Sequence, residues 1–198
     1  MRKIILASSS PRRIEMMRNC GFDPVIKPAD VDETLPEGIS MKDAVMFLAL
    51  KKALAVEKEY LEENGALDAE NAPLIIAADT VVYKDGFGIM GKPSGRDDAR
   101  RMIKAISGTS HHVATGSALI VPGQPKRRVL FDVTEVFVRA MTDGEIEEYL
   151  DTDEPYDKAG AYAIQGIFGR YIEKYEGDFN TVVGFPIDHI LKEAEKLG

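Results

Sequence analysis

The sequence predicts an α/β fold, and three observations carry that prediction. Short apolar runs of strand length alternate with segments that open on helix-start signals, as Lys3-Ile4-Ile5-Leu6-Ala7 does before Ser10-Pro11. A long core strand, Leu74 to Val82, separates one such helix opened at Ser40 from another opened at Ser94-Gly95-Arg96-Asp97. With 198 residues and no repeats, linkers or low-complexity tracts, the chain makes one large domain or two lobes sharing a sheet. That length buries roughly 70% of the unfolded surface, so a conventional core is expected.

Taken in order, Lys3 to Ala7 reads as a buried strand, and Ser8-Ser9-Ser10-Pro11-Arg12-Arg13 as a strand-to-helix turn with Ser10 as cap and Pro11 in the first helical position. Backbone donors at such a helix start attract anions, and three hydroxyls with two arginines suit a phosphate as well as they suit solvent. Phe22 to Lys27 reads as a short strand. The acidic loop Pro28 to Gly38 follows; its carboxylates either are solvated or supply oxygen ligands to a hard cation.

Ser40-Met41-Lys42-Asp43 opens a long helix whose only charged residues from Ala44 to Val56 are Lys51 and Lys52. At the helical period Lys52 projects between Val45 and Leu48, inside the apolar stripe, where a lysine either snorkels or meets an anion. Lys51 stands beside it, and the choice of site lysine between the two is open. Glu57 to Asn71 reads as helix end and surface loop.

The run Leu74 to Val82 is apolar apart from Asp79-Thr80, and aspartate is among the residues strands tolerate least. Asp85-Gly86 marks a hairpin after it. A two-residue turn would set Lys92 opposite Asp79, and a longer one would set it near Val81. Beyond a helix through Ile106, His111 to Val121 and Arg128 to Arg139 read as two long strands of a meander, with Phe131, Val133 and Phe137 on one face. His111 and His112 are consecutive on a strand, so they point to opposite faces and do not chelate one ion. Thr142-Asp143-Gly144-Glu145 is a capping box for a helix through Leu150. Asp157 to Gly166 is dense in small residues that permit close backbone approach. Arg170 to Glu176 and Phe179 to Val183 read as closing strands, and Pro186 to Leu197 as a terminal helix.

Composition narrows the function. A net charge of −8, from 25 basic and 33 acidic residues, argues against a general nucleic-acid binder, so an anionic ligand needs a locally positive pocket. The single cysteine, Cys20, rules out an internal disulfide and a thiolate cluster. No apolar run reaches the ~20 residues that cross a bilayer. The five apolar or small residues after Met1-Arg2-Lys3 are too few for a signal peptide, which predicts a cytoplasmic protein without a membrane partner.

Ser8-x-Ser10-Pro11-Arg12-Arg13, Ala78-Asp79-Thr80-Val81-Val82, Gly91-Lys92-Pro93, Ser107-Gly108-x-x-His111, Asp157-Lys158-Ala159-Gly160-Ala161-Tyr162 and Val182-Val183-Gly184-x-Pro186 occur in this order nearly end to end. As an ordered set they resemble the Maf family of nucleoside triphosphate pyrophosphatases. The resemblance implies an elongated two-lobed α/β fold around a central twisted mixed β-sheet, related to inosine triphosphate pyrophosphatases (Maf/Ham1-like), with residues 1–198 as one domain whose lobes flank an active-site cleft. It implies cleavage of a nucleoside triphosphate between the α and β phosphates with a divalent metal cation (Mg²⁺, Mn²⁺ or Co²⁺), and a possible homodimer. Asp79 matches the catalytic base and, with Glu33, the metal site; Ser10, Arg12, Arg13, Lys52 and Lys92 match residues around the phosphates. Arg12, Thr80 and Gln165 resemble the branch acting on dTTP and UTP. Ala163 and Phe185 depart mildly from the pattern.

A glutamine amide offers one donor and one acceptor, matching the O4 and N3–H edge of thymine or uracil, whereas an acid suits guanine. The alternatives are a pyrophosphatase for 7-methyl-GTP or another base, and a nucleotide-binding regulator without catalysis. The acids Glu33 and Asp79 favour the enzyme, because a pure anion binder would do better without them.

Overall fold

The protein is described from a computed structural model, for residues 2–65 and 71–197. Part of the loop expected after Glu57 falls outside that range. The order is β1 (Ile4–Leu6), α1 (Pro11–Asn19), β2 (Val25–Ile26), α2 (Met41–Asn64), β3 (Leu74–Lys84), β4 (Gly88–Met90), α3 (Arg96–Ile106), β5 (Ser110–Ile120), β6 (Arg127–Val138), α4 (Asp143–Leu150), β7 (Ile172–Glu176), α5 (Phe179–Val183) and α6 (Ile187–Glu195). Three short 3-10 turns, Glu154–Asp157, Ala159–Ala161 and Ile167–Tyr171, lie between α4 and β7. The sheet runs β2-β1-β3-β5-β6-β7, with β4 paired to β3. It is mixed, as expected: β1 is parallel to β2 and β3, while β4 and β7 are antiparallel to their neighbours.

Two compact units divide the chain. The first is Met1–Asp79, Thr115–Asp132 and Gly184–Gly198; the second is Thr80–Ala114 and Val133–Val183. Within the first, successive residues of β1 and β3 point to opposite faces, and both faces are buried, as parallel strands require. Leu6, Leu74, Ile76 and Ala78 pack with Met17 of α1 and Ile187 and Ile190 of α6. Ile5, Ile75 and Ala77 pack on the other side with Ala49, Ala53 and Val56 of α2. So α1 covers one face and α2 the other. The helix approaches closely because β5 carries a glycine: a Cβ on Gly116 would lie 2.3 Å from the Val45 carbonyl oxygen.

The second unit has its own core, in which α3 (Met102, Ile103, Ile106) and α4 (Ile146, Tyr149, Leu150) pack with Tyr162, Phe168 and Tyr171. The capping box at Thr142 forms as expected, with Glu145 returning to the cap. The small-residue segment serves another element of the same unit: Gly160, at φ +68°, leaves no room for a Cβ, which would fall 2.7 Å from Val82.

Four local expectations are corrected. The hairpin loop holds three residues, so Val82 faces Met90 and Lys84 faces Gly88, and the ladder ends at Met90 before Lys92 is reached. The strand expected over Phe22 to Lys27 shortens to Val25–Ile26, and that over Arg170 to Glu176 begins only at Ile172. Phe179–Val183 is a helix rather than a strand. Asp178 starts it: its carboxylate accepts the Asn180 N–H (3.1 Å) and its carbonyl the Thr181 N–H (3.2 Å), and local capping overrides the strand propensity of Thr-Val-Val. On β6, Phe131, Val133 and Phe137 do share a face, but it is the more exposed one; Leu130, Thr134, Val136 and Val138 are buried.

Candidate active site

Alternation along β3 decides where Asp79 points. Ala77 packs on the α2 face and Ala78 on the opposite one, so Asp79 returns to the α2 side. There Lys52 meets it. The Lys52 ammonium lies 2.6 Å from Asp79 Oδ1 and 2.6 Å from Glu33 Oε1. Lys52 continues the buried stripe of Val45, Leu48 and Val56, and only 13% of its side chain is exposed, so its charge is balanced by these two acids rather than by water. Asp79 is 11% exposed and Glu33 58%, so the buried half of the bridge is Asp79–Lys52. Lys51 turns away: its Nζ donates to the Asp32 carbonyl (2.5 Å) and sits over the Phe47 ring. Asp32 in turn accepts from Thr34 N–H (2.9 Å) and Oγ1 (2.6 Å), which hold its carboxyl below the ordinary value and shape the acidic loop.

Arg13 comes from the first turns of α1. Its Nη1 donates to the Ala78 carbonyl (2.7 Å) and Ser8 Oγ (3.3 Å), and its Nε to the Gly184 carbonyl (2.9 Å). Burial lowers its pKa, the attraction of Asp79 opposes that, Arg12 lowers it further and Glu33 raises it. Ser8 is buried and also receives the Ser10 N–H at 3.2 Å. Ser10 is the cap residue of α1, as expected, but its hydroxyl makes no capping bond. Arg12 is half-buried, and its side chain makes no hydrogen bond or ion pair among the described residues.

Ser8, Arg13, Glu33, Lys52 and Asp79 thus converge within the first unit at the carboxyl end of the parallel strands, where β1 leads to α1 on one face and β2 to α2 on the other. Such a topological switch point is where open α/β sheets bind ligands. Of the other expected site residues, Thr80, Lys92 and Gln165 belong to the second unit. Thr80 is half-buried; Lys92 and Gln165 are exposed, with side chains that make no hydrogen bond or ion pair among the described residues. The polar contacts of Ser8 and of Lys51 were not separately expected. The stripe position of Lys52 distinguishes it from its neighbour, but nothing in sequence marks which carbonyl receives Lys51.

No three His, Cys, Asp or Glu side chains form a metal cluster among the described residues. The donor set that is present, two carboxylates converging on one cation, suits a hard ion that takes its remaining oxygen ligands from a bound phosphate. No helix among the described residues is long and apolar enough to cross a membrane.

This architecture defines an α/β protein of the Ham1 type: the structure of the Staphylococcus aureus Ham1 protein superposes with a TM-score of 0.50 over 98% of this chain and 100% of that one, at 12% identity. The chain belongs to the Maf family, described as "Maf-like protein", which matches residues 3–197. Relatives named dTTP/UTP pyrophosphatase include those of Caldicellulosiruptor bescii, 42% identical over 100% of this chain and 96% of its own length, and Acetivibrio thermocellus, 44% identical with the same coverage. The one from Desulfitobacterium hafniense is 42% identical over 100% of this chain and 86% of its own.

Proposed function

We propose that this protein hydrolyses dTTP and UTP to the nucleoside monophosphate and pyrophosphate. The relatives' names supply the substrates, and the observation that carries the chemistry is the Asp79–Lys52–Glu33 bridge beside Arg13. Asp79 orients a water for in-line attack at the α phosphorus and accepts its proton. The water oxygen bonds to phosphorus, the bond from the α phosphorus to the α–β bridging oxygen breaks, and its electron pair departs on pyrophosphate. Arg12, Arg13, Lys52 and Lys92 offset the negative charge of the triphosphate, and the hydroxyl of Ser10 hydrogen-bonds it.

Glu33 and Asp79 would hold a divalent cation, Mg²⁺, Mn²⁺ or Co²⁺. When bound it supplies positive charge against the phosphate oxygens. Before cation and substrate arrive, Lys52 keeps the two acids from repelling each other. Thr80 and Gln165 select the base, with the Gln165 amide pairing to O4 and N3–H of thymine or uracil.

Pyrophosphate release measured across the common nucleoside triphosphates, with Mg²⁺, Mn²⁺ or EDTA, tests the proposal. Turnover of dTTP and UTP above the purine triphosphates, abolished by EDTA, is expected. Nucleotide binding without pyrophosphate release under every metal would replace the enzyme with a binding protein.

A further inference from the structure

The turn that carries Gln165 is pinned by one carboxylate. Glu154 Oε2 accepts the Ile167 N–H at 2.6 Å and Oε1 the Phe168 N–H at 3.1 Å, so one side chain satisfies two successive backbone donors immediately after the turn. The Tyr149 hydroxyl lies 3.1 Å from the same Oε1 and 3.0 Å from the Ala161 carbonyl, tying the carboxylate to α4 and to the start of the turn. The turn itself closes through the Gly166 N–H on the Ala163 carbonyl at 3.2 Å. Gly166 is what admits the carboxylate: a Cβ there would lie 2.0 Å from Glu154 Oε2, although its backbone, at φ −104° and ψ −157°, is open to any residue. Gln165 is exposed, and its side chain makes no hydrogen bond or ion pair among the described residues, so its placement depends on the backbone.

We infer that Glu154 is the positioning residue for base selection: it fixes the turn whose Gln165 amide reads the pyrimidine edge. This rests on the assignment of Gln165 above. Thymine and uracil present an acceptor at O4 and a donor at N3, cytosine the reverse, and a glutamine amide turned over matches either. Discrimination between them therefore requires the amide to be held in one place, and the anchor of its backbone is Glu154. The carboxylate is acceptor-only, which two converging N–H groups need. Its amide isostere would face one of them with an NH₂ group.

The test compares kcat/KM for dTTP and dCTP in the parent, Glu154→Gln, Gly166→Ala and Gln165→Ala, with thermal melting of each. Glu154→Gln removes one acceptor, and Gly166→Ala displaces the carboxylate without removing it. Both are expected to lower the dTTP to dCTP ratio by roughly ten-fold, since small misplacement of a positioned group costs of that order or more. A merely structural role would lower both substrates together, with a lower melting temperature and an unchanged ratio. If Gln165→Ala collapses the ratio while Glu154→Gln and Gly166→Ala leave it intact, the anchor is overturned and the base reading stands. If Gln165→Ala itself leaves the ratio unchanged, the base reading falls and the anchor with it.

Discussion

Removing Lys52 would leave two carboxylates facing each other with no ammonium between them. Glu33, being exposed, can swing into solvent, but Asp79 is held on β3 and cannot. Lys52→Met should therefore cost about 3 kcal/mol of stability in urea unfolding, the usual scale for stranding one partner of a buried pair. Asp79→Asn leaves Lys52 paired with Glu33 and should cost only about 1 kcal/mol, within the range of a single lost hydrogen bond. Its pyrophosphate release should nevertheless fall by about 10²-fold or more, the contribution of a positioned general base, while nucleotide binding persists. An Asn variant that kept most of its turnover would remove Asp79 as the base. At this scale the sequence was informative wherever a residue broke a local rule. An aspartate in a core strand and a lysine in an apolar stripe each demanded a partner, and each proved to be the other's. The position of Lys92 was less legible because one extra loop residue, Phe87, resets the whole hairpin register. Glu154 was silent, since its partners are backbone amides 13 and 14 residues away that no side-chain pattern announces.

Elements bring these residues together through close backbone approach, and Gly116 is where that approach is tightest. A Cβ there would sit 2.3 Å from the Val45 oxygen and 2.8 Å from the Met46 nitrogen, both main-chain atoms that cannot rotate aside. Gly116→Ala must push α2 outward, and overpacking of this kind costs about 1–3 kcal/mol. Because α2 also carries Lys52, turnover of dTTP should fall along with the melting temperature. A variant that melts with the parent would show that α2 tolerates the methyl group. The alternation of strands and helices was readable because apolar runs, caps and prolines agree with one another over most of the chain. Short elements were not. Phe179–Val183 has the composition of a strand and becomes a helix through Asp178, whose carbonyl is also held by Thr134 Oγ1 at 2.8 Å, a contact between segments far apart in sequence.

Stability of the molecule against acid depends on groups other than the acids of the site. His111 is buried with its Nε2 2.7 Å from the Tyr162 hydroxyl and its Nδ1 without a partner among the described residues. Burial, aided by the charges of Lys84 and His112, pushes its pKa from an ordinary 6.5 down to about 3. Between those two values the unfolded chain binds a proton at this position that the folded chain refuses, so stability falls as pH drops from 6.5 toward 3, and outside that window His111 adds nothing further to the pH slope. Glu145 and Glu147 act later. Arg139 holds the first, and Arg100 with Arg96 the second, at about 2 against an ordinary 4.5, so the stability they contribute is present above 4.5 and disappears as pH falls through about 2. The overall charge works the other way, because protonating some of the 33 acidic residues relieves the self-repulsion of a chain at −8. These opposed signs make the molecule's response diagnostic. The parent should lose stability between pH 6.5 and 5, whereas His111→Gln, which keeps a hydrogen-bonding group toward Tyr162 but cannot titrate, should stay level or gain. Urea melts at half-unit pH steps would decide it, and parallel curves for the two proteins would mean that the imidazole takes up its proton in the folded state.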